Sequence, residues 1–364
     1  MENVAKLKAK TLKRAFLSHL LYCYIMDIRT NISLKNYTTM KLGGAARFMA
    51  VATTAGEIAT LCSHASEKGL RVVILGGGSN TIVHDEGFDG LVILNRIEGI
   101  TVLESDESSV TIEAGGGVVW DDLVAFSVEK NISGIEALSN IPGTVGAAPV
   151  QNIGAYGQEI SETFVSLTAY DMKYNQHVTL GAEECQFSYR DSIFRGEAAG
   201  RYAITAVKFR LQKSPPGPPY YKAVQDYFDQ HNITLVSPAE IRKAVQAIRT
   251  EKLPDPKEKP NSGSFFKNTV LEKWQLDDLL KSYPAMPHFD MGTGAFKVPT
   301  GWLIEQTGLK GNLLHGIRVH DKNALVLINE SATSYADLAA ARDEIMGKVR
   351  DEFRIYLSQE PLEI

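Results

Sequence analysis

IPGTVGAAPVQNIGAYG, residues 141–157, is the stretch on which the fold of this 364-residue chain turns. Nine of its seventeen residues are Gly, Ala or Pro, and none is charged. So little side chain is poor at filling a core. It does let backbone N–H groups approach a bound group closely, because glycine reaches backbone conformations that other residues avoid. A second stretch of this kind lies upstream: VVILGGGSN, residues 72–80, is a β-branched run that breaks into three glycines, a serine and an asparagine. Two neutral, glycine-rich backbone surfaces in one chain point to a large anionic cofactor held mainly by main-chain amides.

Competing motifs do not fit the upstream stretch. After Gly76 and Gly78, Thr81 stands where G-x-G-x-x-G needs its third glycine, and no Lys-Ser/Thr ending of a P-loop follows. No G-x-S-x-G nucleophile elbow is present. A plain tight turn is the alternative for Gly76, Gly77 and Gly78; Ser79 and Asn80 favour a phosphate, because both side chains can donate to one.

The whole-chain numbers narrow the classes. The composition, 44% hydrophobic and 22% charged, is that of a globular protein, and the length leads us to expect two or three domains. A net charge of −5 argues against a general nucleic-acid binder. Cys23, Cys62 and Cys185 show no metal-like spacing and read as reduced thiols of a cytoplasmic protein. FLSHLLYCYIM, residues 16–26, follows a basic run at residues 6–14, which is the pattern of a signal peptide. It holds His19 and two tyrosines, lacks a small-residue cleavage site, and is too short to span a bilayer. We read residues 1–30 as an extension outside the core, with Met26 as a possible start.

From residue 31 onward strand and helix signals alternate. Residues 54–68 carry Ile58, Leu61, Cys62 and Ala65 at helical spacing, closed by Gly69. Helices are also expected at 120–130, 238–249, 271–281, 301–309 and 334–353, and a hairpin at 164–180. SPPGPP, residues 214–219, cannot continue a helix or a central strand and reads as a linker. Two polar clusters stand out. In CQFSYRDSIF, residues 185–194, Arg190 reads either as a solvated strand end or as a buried clamp for a carboxylate. In NSGSFFKN, residues 261–268, Ser262, Ser264, Lys267 and Asn268 crowd around two phenylalanines.

Taken in order, LGGGSN, IPGTVGAAPVQNIGAYG, FSYRDSIF, KLPDPK, NSGSFFKN, GWLIEQTGLKG and an acidic C-terminal strand resemble the UDP-N-acetylenolpyruvoylglucosamine reductases. Single motifs are modest signals, but their joint order is specific, and it covers residues 32 to 364. The resemblance implies an α+β chain with a two-part α/β FAD-binding domain of the FAD-linked oxidase type, at 31–95 and 96–213. A C-terminal α+β substrate-binding domain at 220–352 follows the linker, and a segment at 353–364 carries a catalytic acid.

It further implies that FAD is held by Gly76, Gly77, Gly78, Ser79 and Asn80 and by Pro142, Gly143, Gly146, Ala147, Asn152, Gly154, Ala155 and Tyr156. NADPH would be the reductant, and UDP-N-acetylglucosamine enolpyruvate the substrate. Hydride would pass from flavin N5 to the substrate's C3, leaving charge at C2 that Arg190 and its acidic partner Glu360 stabilise and that Ser264 protonates. Tyr189, Tyr221, Lys252, Asn268 and Gln306 match positions around the UDP diphosphate. The product would be UDP-N-acetylmuramate for peptidoglycan synthesis, made by a cytoplasmic monomer, without a metal. Two departures are visible. A shifted alignment of the tail would give Glu363 the place of Glu360, and Phe289 stands where one branch of the family has a lid tyrosine. The rival is a flavin oxidase with covalently attached flavin, but neither His84 nor Cys62 stands in an arrangement suited to that bond.

Overall fold

A computed structural model of the chain describes residues 27–292 and 294–364. The signal-like segment at 16–26 therefore lies outside the described residues. Among those described, no helix is long and apolar enough to cross a membrane.

The first unit is a four-stranded sheet in the order Arg29–Ser33, Ala45–Ala52, Phe88–Asn95, Arg71–Leu75. Its last three strands run parallel, and Arg29–Ser33 joins antiparallel at one edge. Arg29 and Thr30, which the sequence assigned to the extension, pair there with Met49 and Phe48. The helix Ala55–Glu67 starts at a capping box: Thr54 Oγ1 accepts from Glu57 N at 3.1 Å, and Glu57 accepts from Thr54 N at 3.2 Å. Its stripe of Ile58, Leu61, Cys62 and Ala65 packs on Ala50, Ala52, Leu91 and Ile93 of the sheet. Gly69 closes it with φ +64°.

The second unit is antiparallel, in the order Gln176–Gly181, Phe164–Asp171, Tyr202–Gln212, Ser109–Gly115, Ile100–Ser105. Helix Trp120–Glu129 buries Trp120, Leu123 and Val124 against it. The Trp120 ring meets Phe209 edge-on at 5.8 Å, and its Nε1 donates to Leu138 O at 3.0 Å. Residues 141–157 lie along this core. Val145, Ala148 and Ile153 are buried in it, so the stretch expected to be poor core material contributes three apolar anchors beneath its glycines.

After the proline-rich segment comes a helix the sequence reading did not expect, Lys222–Gln230. It packs through Val224 and Phe228 on Ile241, Ala244, Val245 and Ile248 of helix Pro238–Lys252. The third unit holds a sheet in the order Asn261–Ser264, Val326–Asn329, Ile317–Val319, Leu313–Leu314. A small sheet of Thr269–Glu272, Ala295–Val298 and Phe289–Asp290 lies beside it, with the long helix Tyr335–Phe353. The helix expected from residue 271 starts instead at Lys273, because Thr269–Glu272 is drawn into pairing with Ala295–Val298. The first and third units share a core: Met40, Leu42 and Ile82 belong to the cluster of Phe265, Phe266, Leu303 and Ile345. The C-terminal tail completes the join, with Leu362–Glu363 pairing parallel to Thr81–Ile82.

Candidate functional site

The two glycine-rich stretches face one another. A Cβ at Gly76 would lie 2.4 Å from Thr144 Oγ1, and one at Gly77 would lie 3.1 Å from Gly143 Cα. Gly78 has φ +63°, and a Cβ there would sit 1.9 Å from Tyr37 O. Ser79 Oγ lies 3.4 Å from the Cβ that Gly143 lacks. The glycines are therefore required by close approach, and they leave a side-chain-free cradle between Gly76–Asn80 and Pro142–Gly143. From Ile141 and Pro142 a groove of about 790 Å³ continues past Asp121 and Arg249 to Asn261, Gly263 and His320. Arg249 is bonded to Tyr156, but its Nε is buried with no hydrogen-bond partner, and burial pushes its pKa down. A main-chain cradle leading to a cation with one unsatisfied buried donor fits the dinucleotide and pyrophosphate of FAD.

Asn152 behaves otherwise. It is 1% exposed, with φ +43°. Its Nδ2 donates to Glu159 Oε2 at 2.8 Å and Ser188 O at 3.1 Å, and its Oδ1 accepts from Ser161 N at 3.1 Å. That side chain ties the loop down, with both amide hydrogens committed to the protein. Gly146 packs on Gly116, where a Cβ would meet its O at 2.9 Å; Ala147 is exposed. Gly154 and Ala155 form a short ladder with Gln158 and Glu159, and Tyr156 meets the half-exposed Tyr221 edge-on at 5.6 Å.

Arg190 is the centre of the second cluster. It sits in the left-handed region at φ +55°, and its side chain is only 18% exposed. One guanidinium nitrogen donates to Gly154 O. Nε lies 3.8 Å from Glu360 Oε1, while Nη1, 3.9 Å from Glu159 Oε1, is buried without a hydrogen-bond partner. The guanidinium also lies 5.2 Å from the Tyr189 ring centroid, and Tyr189 is hydrogen-bonded to Asn268.

Glu360 is held from several directions. Its N donates to Phe265 O at 2.9 Å, and the tail continues antiparallel through the Gln359–Phe266 bridge and Lys267 N to Ser358 O at 2.9 Å. Arg195 Nη1 donates to Glu360 O at 2.8 Å, and Gln151 Nε2 donates to Glu360 Oε1 at 3.3 Å. Asn80 Nδ2 donates to Gln151 Oε1 at 2.5 Å, linking the glycine cradle to the carboxylate. Burial pushes the Glu360 carboxyl up, against the pull of Arg190, Arg195 and Lys267. Burial pushes the pKa values of Arg195 and Lys267 down. Ser264 ends the strand Asn261–Ser264, one residue before the Phe265 carbonyl that anchors Glu360. Glu363 lies in a different cluster, bonded to Tyr335, Arg342 and Gln359. It is Glu360 that meets Arg190.

The remaining expected residues are more scattered. Asn268 Oδ1 accepts from Thr300 N at 3.2 Å, at the start of the helix Thr300–Gln306. Gln306 is exposed at the other end of that helix, Lys252 is exposed at the end of Pro238–Lys252, and Phe289 is exposed on its short strand. Gln151, Arg195, Lys267 and Arg249 were not assigned to the site from sequence. Gln151 was the one side chain in the neutral stretch with the reach to do this, and Arg195 lies five residues after Arg190.

Comparison with known proteins agrees with this geometry. A family model described as an FAD binding domain matches residues 46–174, and one described as the UDP-N-acetylenolpyruvoylglucosamine reductase C-terminal domain matches residues 255–364. UDP-N-acetylenolpyruvoylglucosamine reductase of Burkholderia ambifaria (strain MC40-6) is 41% identical over 331 residues, 90% of this chain and 95% of that one. The protein of that name from Dechloromonas aromatica (strain RCB) is 39% identical over 341 residues, 93% and 99% of the two chains. In fold, the chain resembles the crystal structure of the Thermus caldophilus reductase, with a TM-score of 0.63 at 22% identity, over 93% of this chain and 99% of that one. The cradle, the Arg190–Glu360 cluster and these relatives lead to one conclusion: the chain is an FAD-dependent oxidoreductase and belongs to the UDP-N-acetylenolpyruvoylglucosamine reductase family.

Proposed function

We propose that the protein reduces UDP-N-acetylglucosamine enolpyruvate to UDP-N-acetylmuramate, with NADPH as the reductant, in peptidoglycan precursor synthesis. The observation that carries this reading is the buried Arg190 Nη1 without a hydrogen-bond partner, beside Glu360, whose N–H is held by the carbonyl of the residue after Ser264. A buried cationic donor is costly unless an anion completes it, and the carboxylate of an enolpyruvyl group does so. When bound, FAD supplies the hydride that reduces the enolpyruvyl double bond. Arg190 holds the substrate carboxylate and stabilises the negative charge that spreads into it, the kind of term that is usually the largest in catalysis. Glu360 is the acidic partner that keeps Arg190 in place, and the Ser264 hydroxyl delivers the proton to C2. Asn268, Tyr221, Lys252 and Gln306 receive the UDP diphosphate, and Phe289 offers an aromatic lid lacking a tyrosine's hydroxyl. In this reading the protein works as a cytoplasmic monomer.

The test is anaerobic. NADPH should bleach the yellow protein faster than NADH does, and the enolpyruvyl nucleotide sugar should then restore the colour with formation of UDP-N-acetylmuramate. A bleached protein that stays colourless with that substrate, yet recovers with oxygen, would exclude the reading.

A further inference from the structure

The last acid of the chain, Glu363, lies outside the site but three residues from Glu360, and it is unusually well held. Its Oε2 lies 3.0 Å from His84 Nε2 and accepts from Tyr335 OH at 3.0 Å. Its Oε1 accepts from Arg342 Nη1 at 2.7 Å and Gln359 Nε2 at 3.1 Å. These partners come from three places: the first unit, the long helix Tyr335–Phe353, and the tail itself. The His84 ring stacks on Tyr335 at 4.1 Å, and neighbouring Asp85 accepts from Tyr335 N at 2.7 Å and Ala336 N at 3.1 Å. Backbone bonds run alongside: Leu362 N to Asn80 O at 3.0 Å, Ile364 N to Ile82 O at 2.9 Å, and His84 N to Ile364 O at 3.0 Å.

We propose that the Glu363 cluster is a clasp that positions Glu360 against Arg190 by locking the terminal strand onto Thr81–Ile82. Two short strands of two residues each hold poorly by backbone bonds alone. The four side-chain partners of Glu363 supply the missing constraint, and the strand they fix begins where the phosphate cradle ends, at Asn80. Glu363 is thus a positioning residue: it acts through Glu360 and touches neither substrate nor cofactor. The inference rests on the reading of function above, in which Glu360 serves only the substrate half-reaction.

The clasp predicts a split. In E363A, flavin reduction by NADPH stays within about 2-fold of wild type, while reoxidation by the enolpyruvyl nucleotide sugar slows on the order of 10²-fold, the cost of a misplacement of about 1 Å. E363Q keeps one acceptor oxygen, for Arg342 and Gln359, while its NH2 can donate to the Tyr335 hydroxyl oxygen, and it recovers part of the lost rate. Hydrogen exchange of the peptide covering residues 357–364 rises in cofactor-free E363A, and a crystal structure of the variant shows Glu360 moved away from the 3.8 Å contact with Arg190. Equal slowing of both half-reactions, or no slowing of either, overturns the clasp. Wild-type protein that the nucleotide sugar does not reoxidise overturns the functional reading, and the clasp falls with it. A wild type that responds beside an unimpaired E363A removes the clasp alone.

Discussion

Replacing Gly78 and Gly77 in turn by alanine separates what the glycine loop does for the fold from what it does for the cofactor. At Gly78, φ is +63°, a region that costs an L-residue about 1–2 kcal/mol. The new methyl would also sit 1.9 Å from Tyr37 O, a backbone atom that cannot swing aside. Overpacking of that kind costs about 1–3 kcal/mol. Adding the two ranges, G78A should lose on the order of 2–5 kcal/mol. Gly77 has no positive φ, and its added methyl would meet the Gly143 backbone, with Cα nearest at 3.1 Å. G77A should therefore lose only about 1 kcal/mol, the low end of an overpacking cost, yet narrow the cradle. Urea unfolding of the cofactor-free proteins gives the stabilities, and flavin absorbance after gel filtration gives the retained FAD. G78A as stable as wild type would refute the strain argument. G77A that keeps its full complement of FAD would refute the claim that the two stretches form one cradle.

Further outcomes follow from the site. S264A should be bleached by NADPH at nearly the wild-type rate and lose about 10²–10⁴-fold in reoxidation by the nucleotide sugar, the usual worth of a positioned acid. Equal losses in both halves would make Ser264 structural. R190A should lose about 10²-fold or more in the same step; stopped-flow traces matching wild type would remove Arg190 from the mechanism. Stability should also depend on acid through Asp121. Burial raises its carboxyl's pKa, but two bonds from Arg242, at 2.7 and 2.8 Å, and one from Asn140 N outweigh that and hold it below its ordinary value. Its contribution is therefore present above the ordinary carboxylate value of about 4 and is lost as pH falls through the lowered one. D121N should lose about 1–3 kcal/mol at neutral pH and show a flatter acid limb. Parallel limbs for the two proteins would count against this pair as the link between helices Trp120–Glu129 and Pro238–Lys252.

Much of the molecule could be read in its order of residues. The buried stripe of the first helix and the glycine that closes it are local devices, and they form where they were expected. The glycine stretches were legible because close backbone approach excludes every larger side chain. The strand Thr269–Glu272 was not, since its helix-like pattern yields to a partner strand some twenty-five residues away. Nor were the bonds by which the Asn152 side chain fastens its own loop.

The sequence by itself marked two uncharged, glycine-rich backbone surfaces, and the family resemblance named an arginine, a serine and two acids as candidates beside them. Only the tertiary structure decided that Glu360 and not Glu363 meets Arg190, and that Gln151, Arg195 and Lys267 gather around it. The physical reason is range. Steric permission and capping act between near neighbours in the chain, whereas the charge around a carboxyl is summed over groups that only folding brings within a few ångströms.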